Sequence, residues 1–310
     1  MDDSVHRPGR TCPLSYRYSP TVFDRAPDIA ADTLYVIGGL YGNPFALAAV
    51  LTLAAREPTP PMLVFNGDFN WFDIDPDMFR AVNEAVLSHV ALRGNVETEL
   101  AADDDQGCGC GYPDDVSDAE VERSNVIMRQ LRTTARQHAN IRNRLAALPM
   151  HAVAKVGEAR IGIVHGDAES LAGWGFAHDQ LDSPERLASL MRIFAKAEVD
   201  VFASSHTCLP ALRQFPFGAV INNGATGMPN FAGDPAGLIT RIGVAPSPHQ
   251  PAYGARQSGA HVDALRVEFD VAAWTAAFEK QWPAGSAGHV SYWKRITQGP
   301  AFTPDRANAT

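Results

Sequence analysis

The sequence predicts an α/β fold, and two observations support that prediction. Apolar runs typical of β-strands are followed by glycine turns and then by helix-start signals, which is how an α/β unit begins. A polar residue also stands where several of these strand runs stop, and strand ends gather at one edge of an α/β sheet, where ligands bind. The chain of 310 residues is long enough to bury one large core.

The first half of the chain alternates between predicted strands and helices. Residues 1–30 are polar and contain prolines, so we expect an irregular arm. The run TLYVIGG is predicted as a strand, and NPFALAAVLTLAA as a helix with Asn43 as its N-cap and Pro44 as its first residue. The strand MLVFN, the helix DPDMFRAVNEAVLSHV and the short strand HVALR follow. Residues 98–117 interrupt this pattern as a loop or insertion, and 118–147 are predicted as one long helix or two.

The second half, from residue 150, is mainly β-type. MHAVAKV and ARIGIV are predicted as a hairpin that turns at Gly157-Glu158, and a helix is expected around residues 184–197. Further strands are predicted for the runs VDVFASS, FGAVINNG, GLITRIGV and HVDALRVEFD. Residues 244–260 are rich in proline and glycine and are expected to form a loop. WTAAFEKQW is predicted as a short helix before a weakly structured tail.

Composition excludes some classes of function and cellular setting. The formal net charge of −9 argues against non-specific nucleic-acid binding, which needs a basic face to displace counterions. No apolar stretch is long enough to cross a bilayer, and the first ten residues lack a signal-peptide core, so a cytoplasmic protein without a membrane contact is expected. The cysteines are therefore predicted to be free thiols or metal ligands. They are Cys12, Cys108, Cys110 and Cys208.

The polar residues at the strand ends form a series of motifs. In chain order these are GGLYGN (38–43), NGD (66–68), RGNVE (93–97), HGD (165–167), SSHTC (204–208) and NNGATG (222–227). The series resembles the calcineurin-like metallophosphoesterase superfamily, which reads Asp-x-His, Gly-Asp, Gly-Asn-His-Asp or Glu, a lone His, then Gly-His-x-His. The likeness is closer to the small bacterial and archaeal phosphodiesterase branch, whose third motif often lacks its histidine, and it covers roughly residues 33 to 270.

The resemblance implies a fold and a domain organisation. The fold is a four-layer α-β-β-α sandwich of two mixed sheets with helices outside. The metallophosphoesterase-like domain is predicted at 31–275, after the arm at 1–30. Within it, residues 98–147 form a helical cap insertion near the binding edge, and 276–310 form a C-terminal extension.

The resemblance also implies a set of metal ligands. Asp68 matches the carboxylate that bridges two ions in the family, and Asn95, His165 and His206 match the other ligands of the second ion. Carboxylate and amide oxygens with imidazole nitrogens suit Mn²⁺, Fe or Zn²⁺. The same four residues are the predicted catalytic group, because such an ion lowers the pKa of a bound water and offsets charge on phosphoryl oxygens.

The ligands of the first ion are replaced in this sequence. The family's Asp and His of the first motif are Gly39 and Tyr41 here, and its last histidine is Cys208. The general-acid histidine of the third motif is Val96. One ion is therefore expected rather than two. Cys208 is either a small buried thiol or, with Cys108 or Cys110, part of a rebuilt site.

Candidate substrate contacts have alternative structural roles. Tyr41 either packs or donates its hydroxyl to a substrate phosphate, and Asn43 either caps the helix or contacts substrate. Arg129 and Arg136 lie on one helix face with Arg132, and form either a solvated face or a lid that binds phosphate oxygens. Glu97 either orients neighbouring groups or is a solvated loop residue.

Two functions are compatible with these residues. The first is metal-dependent hydrolysis of a phosphate ester, with a diester favoured, by attack of a metal-bound water. The second is a non-catalytic protein of the same fold that binds or regulates. Complete ligands for one ion favour the enzyme, and the missing first-site ligands favour the binding protein.

Overall fold

The fold is built from two six-stranded sheets in a computed structural model that describes residues 7–10 and 13–308. The strands of these residues follow in chain order: β1 (Ile29–Ala30), β2 (Thr33–Ile37), β3 (Met62–Asn66), β4 (Val90–Leu92), β5 (His151–Val156), β6 (Ala159–Val164), β7 (Val201–Ser204), β8 (Pro210–Phe215), β9 (Gly218–Asn223), β10 (Gly237–Gly243), β11 (Tyr253–Gln257) and β12 (Ala260–Val267). One sheet has the order β1-β5-β6-β7-β9-β8, and the other the order β11-β12-β10-β2-β3-β4.

Helices connect most of these strands. The α-helices are α1 (Pro44–Ala54), α2 (Pro76–Val86), α3 (Asn95–Ala101), α4 (Asp118–Ala135), α5 (Ala139–Ala146), α6 (His178–Leu181), α7 (Leu187–Ala197), α8 (Val271–Gln281), α9 (Ala287–Gln298) and α10 (Pro304–Ala307). Short 3₁₀ helices span Leu14–Tyr16, Pro20–Phe23 and Pro184–Arg186. No helix within the described ranges is both long enough and apolar enough to cross a membrane.

Both sheets are mixed, as the sequence predicted. In the second sheet β2, β3 and β4 run parallel, while β10 is antiparallel to both β2 and β12. In the first sheet β6, β7 and β9 run parallel, and β5 and β8 are antiparallel to their neighbours β6 and β9. The parallel strands therefore bring the carboxyl ends of β3, β4, β6 and β7 to the site described below.

The alternation of side chains along the strands produces four layers. Leu34 and Val36 of β2 pack with Ile161 and Ile163 of β6 between the two sheets. The opposite face of β2 packs against a core that includes residues of α1, α2, α4 and α8. Residues of α7 cover the outer face of the first sheet in a separate cluster. The α-β-β-α sandwich predicted from the family resemblance is thus confirmed.

Local signals in the sequence predicted several of the element boundaries correctly. The side chain of Asn43 accepts hydrogen bonds from the backbone N–H groups of Phe45 and Ala46, each at 3.0 Å, so it caps α1 as expected. The β5–β6 hairpin turns at the predicted dipeptide, since Val156 pairs with Ala159. The region predicted as a helical cap contains α4 and α5.

Three expectations about local structure were wrong. The predicted loop 244–260 contains β11, an edge strand that is hard to recognise because half of its residues face solvent. β8 was also missed in the sequence, and it forms a hairpin with β9. The tail is not weakly structured, because α9 packs against α4 and buries Ile296. The parts of the N-terminal arm at residues 1–6 and 11–12, including Cys12, lie outside the described residues.

Candidate metal centre

Four predicted ligands lie at the ends of strands from both sheets. Asp68 follows β3 and Asn95 is the first residue of α3, directly after β4 in the second sheet. His165 follows β6, and His206 follows β7 in the first sheet. All four side chains are buried, with His165 fully excluded from solvent. The site is therefore formed where the edges of the two sheets meet.

The ligand atoms of these residues converge on one point. The Nε2 atom of His165 lies 3.3 Å from Oδ2 of Asp68, 3.2 Å from Oδ1 of Asn95 and 3.2 Å from Nδ1 of His206. Ligand atoms of Asp68, His165 and His206 all lie within 4.8 Å of one another. Distances of this size leave room for one small cation among the four groups.

Hydrogen bonds at the far side of each ring determine where the imidazole protons lie. Nδ1 of His165 is 2.9 Å from the carbonyl oxygen of Asn66, and Nε2 of His206 is 3.0 Å from that of Cys110. A carbonyl oxygen only accepts, so both of these ring nitrogens carry a proton. In the neutral rings, Nε2 of His165 and Nδ1 of His206 are then unprotonated.

This arrangement fits a metal ion. When both imidazole rings are neutral, the cluster contains only hydrogen-bond acceptors. These are two ring nitrogens, a carboxylate oxygen and an amide oxygen. Such a group is repulsive unless a proton on His165 or a cation binds among its members, and backbone carbonyls that orient ligating histidines are common around metals. The residues therefore fit a divalent ion of the Mn, Fe or Zn type.

Electrostatics in the site favour a charged carboxylate and one uncharged histidine. Burial opposes ionisation of Asp68, but the charge and hydrogen bond of His165 outweigh it and hold the pKa of Asp68 below its usual value. Burial and the nearby charge of His165 lower the pKa of His206 to about 4. Burial also disfavours the charged form of His165, yet the carboxylate of Asp68 raises its pKa. A metal ion would therefore compete with a proton on His165.

Glu97 holds the turn that presents Asp68. Gly67 and Asp68 both have left-handed backbone angles, with φ of 76° and 51°. The buried carboxylate of Glu97 accepts from the backbone N–H of Asp68 at 2.7 Å, of Phe69 at 3.1 Å and of Gly94 at 2.9 Å. Burial, and then the charge of Asp68, raise the pKa of Glu97 to about 7. Glu97 thus orients the ligand loop and is not a solvated residue.

The loop with the sequence GCGCG (residues 107–111) contacts the candidate ligands through its backbone carbonyl groups. The carbonyl of Cys108 accepts from Nδ2 of Asn95 at 2.9 Å, which leaves Oδ1 of Asn95 facing the cluster. The carbonyl of Cys110 accepts from His206 and also from Nε1 of Trp174 at 3.2 Å. The glycines of the loop adopt the left-handed conformation that allows this path: Gly107 (φ 82°), Gly109 (φ 66°) and Gly111 (φ 59°).

A tyrosine and a thiol stand at the positions that the resemblance assigns to the first ion. The hydroxyl of Tyr41 lies 2.8 Å from Sγ of Cys208. A Cβ atom on Gly39 would lie 2.8 Å from Cε2 of Tyr41, so the ring occupies the space beside Gly39. Burial raises the pKa of Tyr41 and of Cys208, which keeps both groups uncharged. Among the described residues, the cluster able to hold a metal contains no cysteine.

A narrow cavity of about 40 Å³ adjoins the ligands. It is lined by Tyr41, Asp68, Trp71, Asn95, Val96, Cys110, Tyr112, His206, Cys208, Met228 and Tyr292. Tyr292 belongs to α9, and the neighbouring Arg295 donates to the carbonyl oxygen of Cys208. The sequence did not indicate these contributions, because Trp71, Tyr292 and Arg295 lie outside the motifs. A larger open depression of about 740 Å³ near α1 and β12 contains none of the candidate ligands.

Other predicted substrate contacts lie away from this cavity or have structural roles. Asn43 caps α1, and its Nδ2 donates to the carbonyl of Gly227 at 3.0 Å. Arg129 pairs with Glu122 at 2.7 Å, and Arg136 is exposed to solvent. Neither arginine lines the cavity, because the face of α4 that carries them points outwards. The pair forms a solvated face in this structure, which is the first of the two alternatives.

Comparison with known proteins relates the fold to metallophosphoesterases. No protein-family model and no curated protein matches the sequence. Among solved structures, a metallophosphoesterase from Sphaerobacter thermophilus is similar, with 19% identity and a TM-score of 0.55, over 86% of this chain and 100% of that chain. A hypothetical protein from Pyrococcus horikoshii OT3 is similar with 16% identity and a TM-score of 0.60, over 88% and 100% of the two chains. The chain has the metallophosphoesterase fold.

Proposed function

We propose that this protein is a metal-dependent phosphoric ester hydrolase that holds one divalent ion on Asp68, Asn95, His165 and His206. The observation that carries the proposal is the convergence of a carboxylate oxygen, an amide oxygen and Nδ1 of His206 on Nε2 of His165, at 3.2–3.3 Å. The metallophosphoesterase fold agrees with this site but does not by itself establish an activity.

Each residue of the centre has a role in this proposal. A divalent ion supplies an activated water and offsets charge that develops on phosphoryl oxygens. Asp68, Asn95, His165 and His206 position that ion, and Glu97 fixes the backbone of Asp68. The carbonyls of Asn66 and Cys110 keep the two imidazoles in the tautomers that bind metal.

A single ion is proposed because the positions that the resemblance assigns to the first ion lack ligands. Tyr41 and Cys208 are both uncharged and bonded to each other, and Gly39 has no side chain to contribute. Val96 provides no acid to protonate a leaving group. Activity on substrates with good leaving groups is therefore expected to exceed activity on alkyl esters.

The second candidate function is a non-catalytic binding protein. The observation that favours it is the same Tyr41–Cys208 contact, because it removes half of the family's dinuclear site. Retention of four converging ligands favours the enzyme, since a binding surface has no need of this buried group. The absence of nucleic-acid binding and the cytoplasmic location stay predictions from the sequence.

Metal content and turnover test the proposal together. Purified protein should contain about one Mn, Fe or Zn ion per chain by elemental analysis, and should hydrolyse p-nitrophenyl phosphate or bis(p-nitrophenyl) phosphate with added Mn²⁺. His206→Ala and Asp68→Asn should lose both the ion and the turnover. His249→Ala is the matched control, because that histidine contacts the carbonyl of Leu53 far from the ligands.

Three outcomes separate the hypotheses. A chain with one ion and turnover that disappears in both ligand variants supports the hydrolase. A chain that keeps one ion but hydrolyses neither ester, nor a broader panel, supports the binding protein. A chain that binds no divalent ion above background excludes both metal-based roles. The ratio of monoester to diester rates tests the diester preference predicted from the resemblance.

A further inference from the structure

The GCGCG loop contacts two proposed ligands but belongs to no helix or strand. It lies between α3 and α4. The carbonyl of Cys108 accepts from Nδ2 of Asn95 at 2.9 Å. The carbonyl of Cys110 lies 3.0 Å from Nε2 of His206. Because no backbone ladder supports the loop, the accuracy of these two contacts depends on the side chains that hold it.

Asn125, on α4, holds the loop through its amide. Its Oδ1 accepts from the backbone N–H of Cys108 at 3.0 Å, and its Nδ2 donates to the carbonyl oxygen of Pro8 at 3.3 Å. The residue is only 4% exposed. Asparagine is a poor helix former, so these two contacts, rather than helix propensity, stabilise it at this position.

The backbone packs closely around the amide of Asn125 on two sides. A Cβ atom on Gly9 would lie 2.9 Å from Oδ1 of Asn125, and one on Gly107 would lie 2.6 Å from the same atom. Both glycines also have a left-handed φ of 82°. The amide is therefore enclosed between the N-terminal arm and the GCGCG loop, in contact with both.

The N-terminal arm fastens the segment that follows Cys110. The carbonyl of Gly9 accepts from the backbone N–H of Tyr112 at 3.0 Å. The guanidinium of Arg10 donates to the carbonyl of Pro113 at 2.9 Å, and also to that of Val116. The arm thus holds the later part of the loop, while Asn125 holds the part that carries the first cysteine.

Cys108 links Asn125 to a proposed ligand. Its N–H donates to Asn125, and its carbonyl accepts from Asn95. If Cys108 shifted, the amide of Asn95 would lose the contact that directs its oxygen towards the other ligands. Cys110 would move as well, since it follows only two residues later, and with it the carbonyl that orients His206. One hydrogen bond from α4 therefore affects two of the four ligands.

We infer that Asn125 is a positioning residue of the metal centre, which holds Cys108 so that Asn95 and His206 stay directed at the ion. Asn125 does not line the cavity beside the ligands, so it acts through the loop. The inference rests on the proposed function. It assigns a role in the metal site to α4 and to the N-terminal arm, which none of the sequence motifs covers.

Zinc affinity of the full chain tests this role, with Asn125→Ala compared with Thr134→Ala. Thr134 is a matched control on the same helix, because it is 5% exposed and its Oγ1 donates to the carbonyl of Ile74 at 2.6 Å, outside the loop. Each variant loses a buried bond between a side chain and the backbone, so both should unfold at lower urea. Competition with a chromophoric chelator should show zinc binding roughly tenfold weaker in Asn125→Ala alone, at the lower end of the range for groups that orient metal ligands.

Cobalt spectra separate a positioning role from a general loss of stability. The visible absorption of bound Co²⁺ reports the geometry of its ligands. Thr134→Ala should give the spectrum of the unmodified chain, whereas Asn125→Ala should give a different one. Asn125→Asp keeps an oxygen that accepts from the N–H of Cys108, so it should restore both the spectrum and the zinc affinity.

Hydrogen exchange in the unmodified chain tests the role even if Asn125→Ala fails to fold. Coupling between two sites is reciprocal, so a contact that promotes metal binding is itself stabilised by the metal. Zinc should therefore slow exchange of the Cys108 amide. The effect should exceed that on the amides of α7, which packs on the outer face of the first sheet.

The possible failures are distinguishable. Equal zinc affinity in Asn125→Ala and the unmodified chain, or an exchange rate of the Cys108 amide that zinc leaves unchanged, would show that the positioning role is wrong while the metal centre stands. Zinc binding as weak in Asn125→Asp as in Asn125→Ala would also refute the role, because the acceptor is then present without effect. If the unmodified chain binds no zinc at all, the proposed function itself fails.

Discussion

The contact between Gly39 and Tyr41 gives a sharp prediction about stability. Gly39 has φ of 65°, and a Cβ atom there would lie 2.8–2.9 Å from Cε2, Cζ and the hydroxyl of Tyr41. Gly39→Ala should therefore destabilise the protein in two ways, through its backbone and through the displaced ring. A side chain at residue 39 and the ring of Tyr41 exclude each other.

The backbone cost and the steric cost of Gly39→Ala differ in size and can be measured separately. A left-handed backbone costs an alanine about 1–2 kcal/mol. Displacing the ring adds about 1–3 kcal/mol of overpacking, and the lost hydrogen bond to Cys208 adds about 1 kcal/mol. Gly233→Ala measures the backbone effect alone, because Gly233 has φ of 71° and a Cβ atom there would meet no other atom within 4 Å.

Urea denaturation of the metal-free protein provides the measurement. In a Tyr41→Ala background, Gly39→Ala should cost only about 1–2 kcal/mol, as at Gly233, so the two sites should show a coupling of about 2–4 kcal/mol. In a Tyr41→Phe background the ring remains, and most of the coupling should persist. Equal costs of Gly39→Ala in the unmodified and Tyr41→Ala backgrounds would refute the steric explanation.

Two further predictions concern the loops around the centre. Burial raises the pKa of the fully buried Asp73 from 3.8 to about 7. Its neutral form is therefore favoured in the folded state, and the folded protein should lose on the order of 4 kcal/mol of stability from this group as pH rises from about 4 through 7. Asp73→Asn should remove that loss, so thermal denaturation should show its advantage over the unmodified chain growing from pH 5 to pH 8; a constant difference would contradict the assignment. Cys108→Ser and Cys208→Ser should retain about one ion per chain by elemental analysis, because Cys108 contacts Asn95 through its carbonyl and the Cys208 thiol contacts Tyr41. Reduced metal content in either variant would support the site that contains cysteine.

The sequence was informative wherever local signals and motif order decide the outcome. An asparagine followed by proline predicted the start of α1, because its side chain satisfies free N–H groups of the first turn. The resemblance carried by polar residues after apolar strands indicated four candidate ligands, Asp68, Asn95, His165 and His206, and parallel strands bring their carboxyl ends to one edge. The structure brings all four together.

The remaining features of the site depend on contacts between distant segments. Tyr292 reaches the cavity from α9, far beyond His206 in the chain, and no local pattern indicates that approach. The GCGCG loop appeared to offer thiols, whereas the fold presents the carbonyls of Cys108 and Cys110 to the ligands. Arg129 and Arg136 were candidates by charge, but the packing of α4 turns them towards solvent.

The sequence by itself indicated the candidate ligands and, through the family resemblance, the layered fold, because motifs, helix caps and ligand types are properties of short segments. Only the tertiary structure decided how the ligands are held and how much space remains beside them. Hydrogen bonds accepted by Asn66, Glu97 and the GCGCG loop fix the tautomers of the two histidines and the backbone turn at Asp68. These depend on atoms from separate segments meeting within about 3 Å, a geometry that long-range packing imposes and that no single segment encodes.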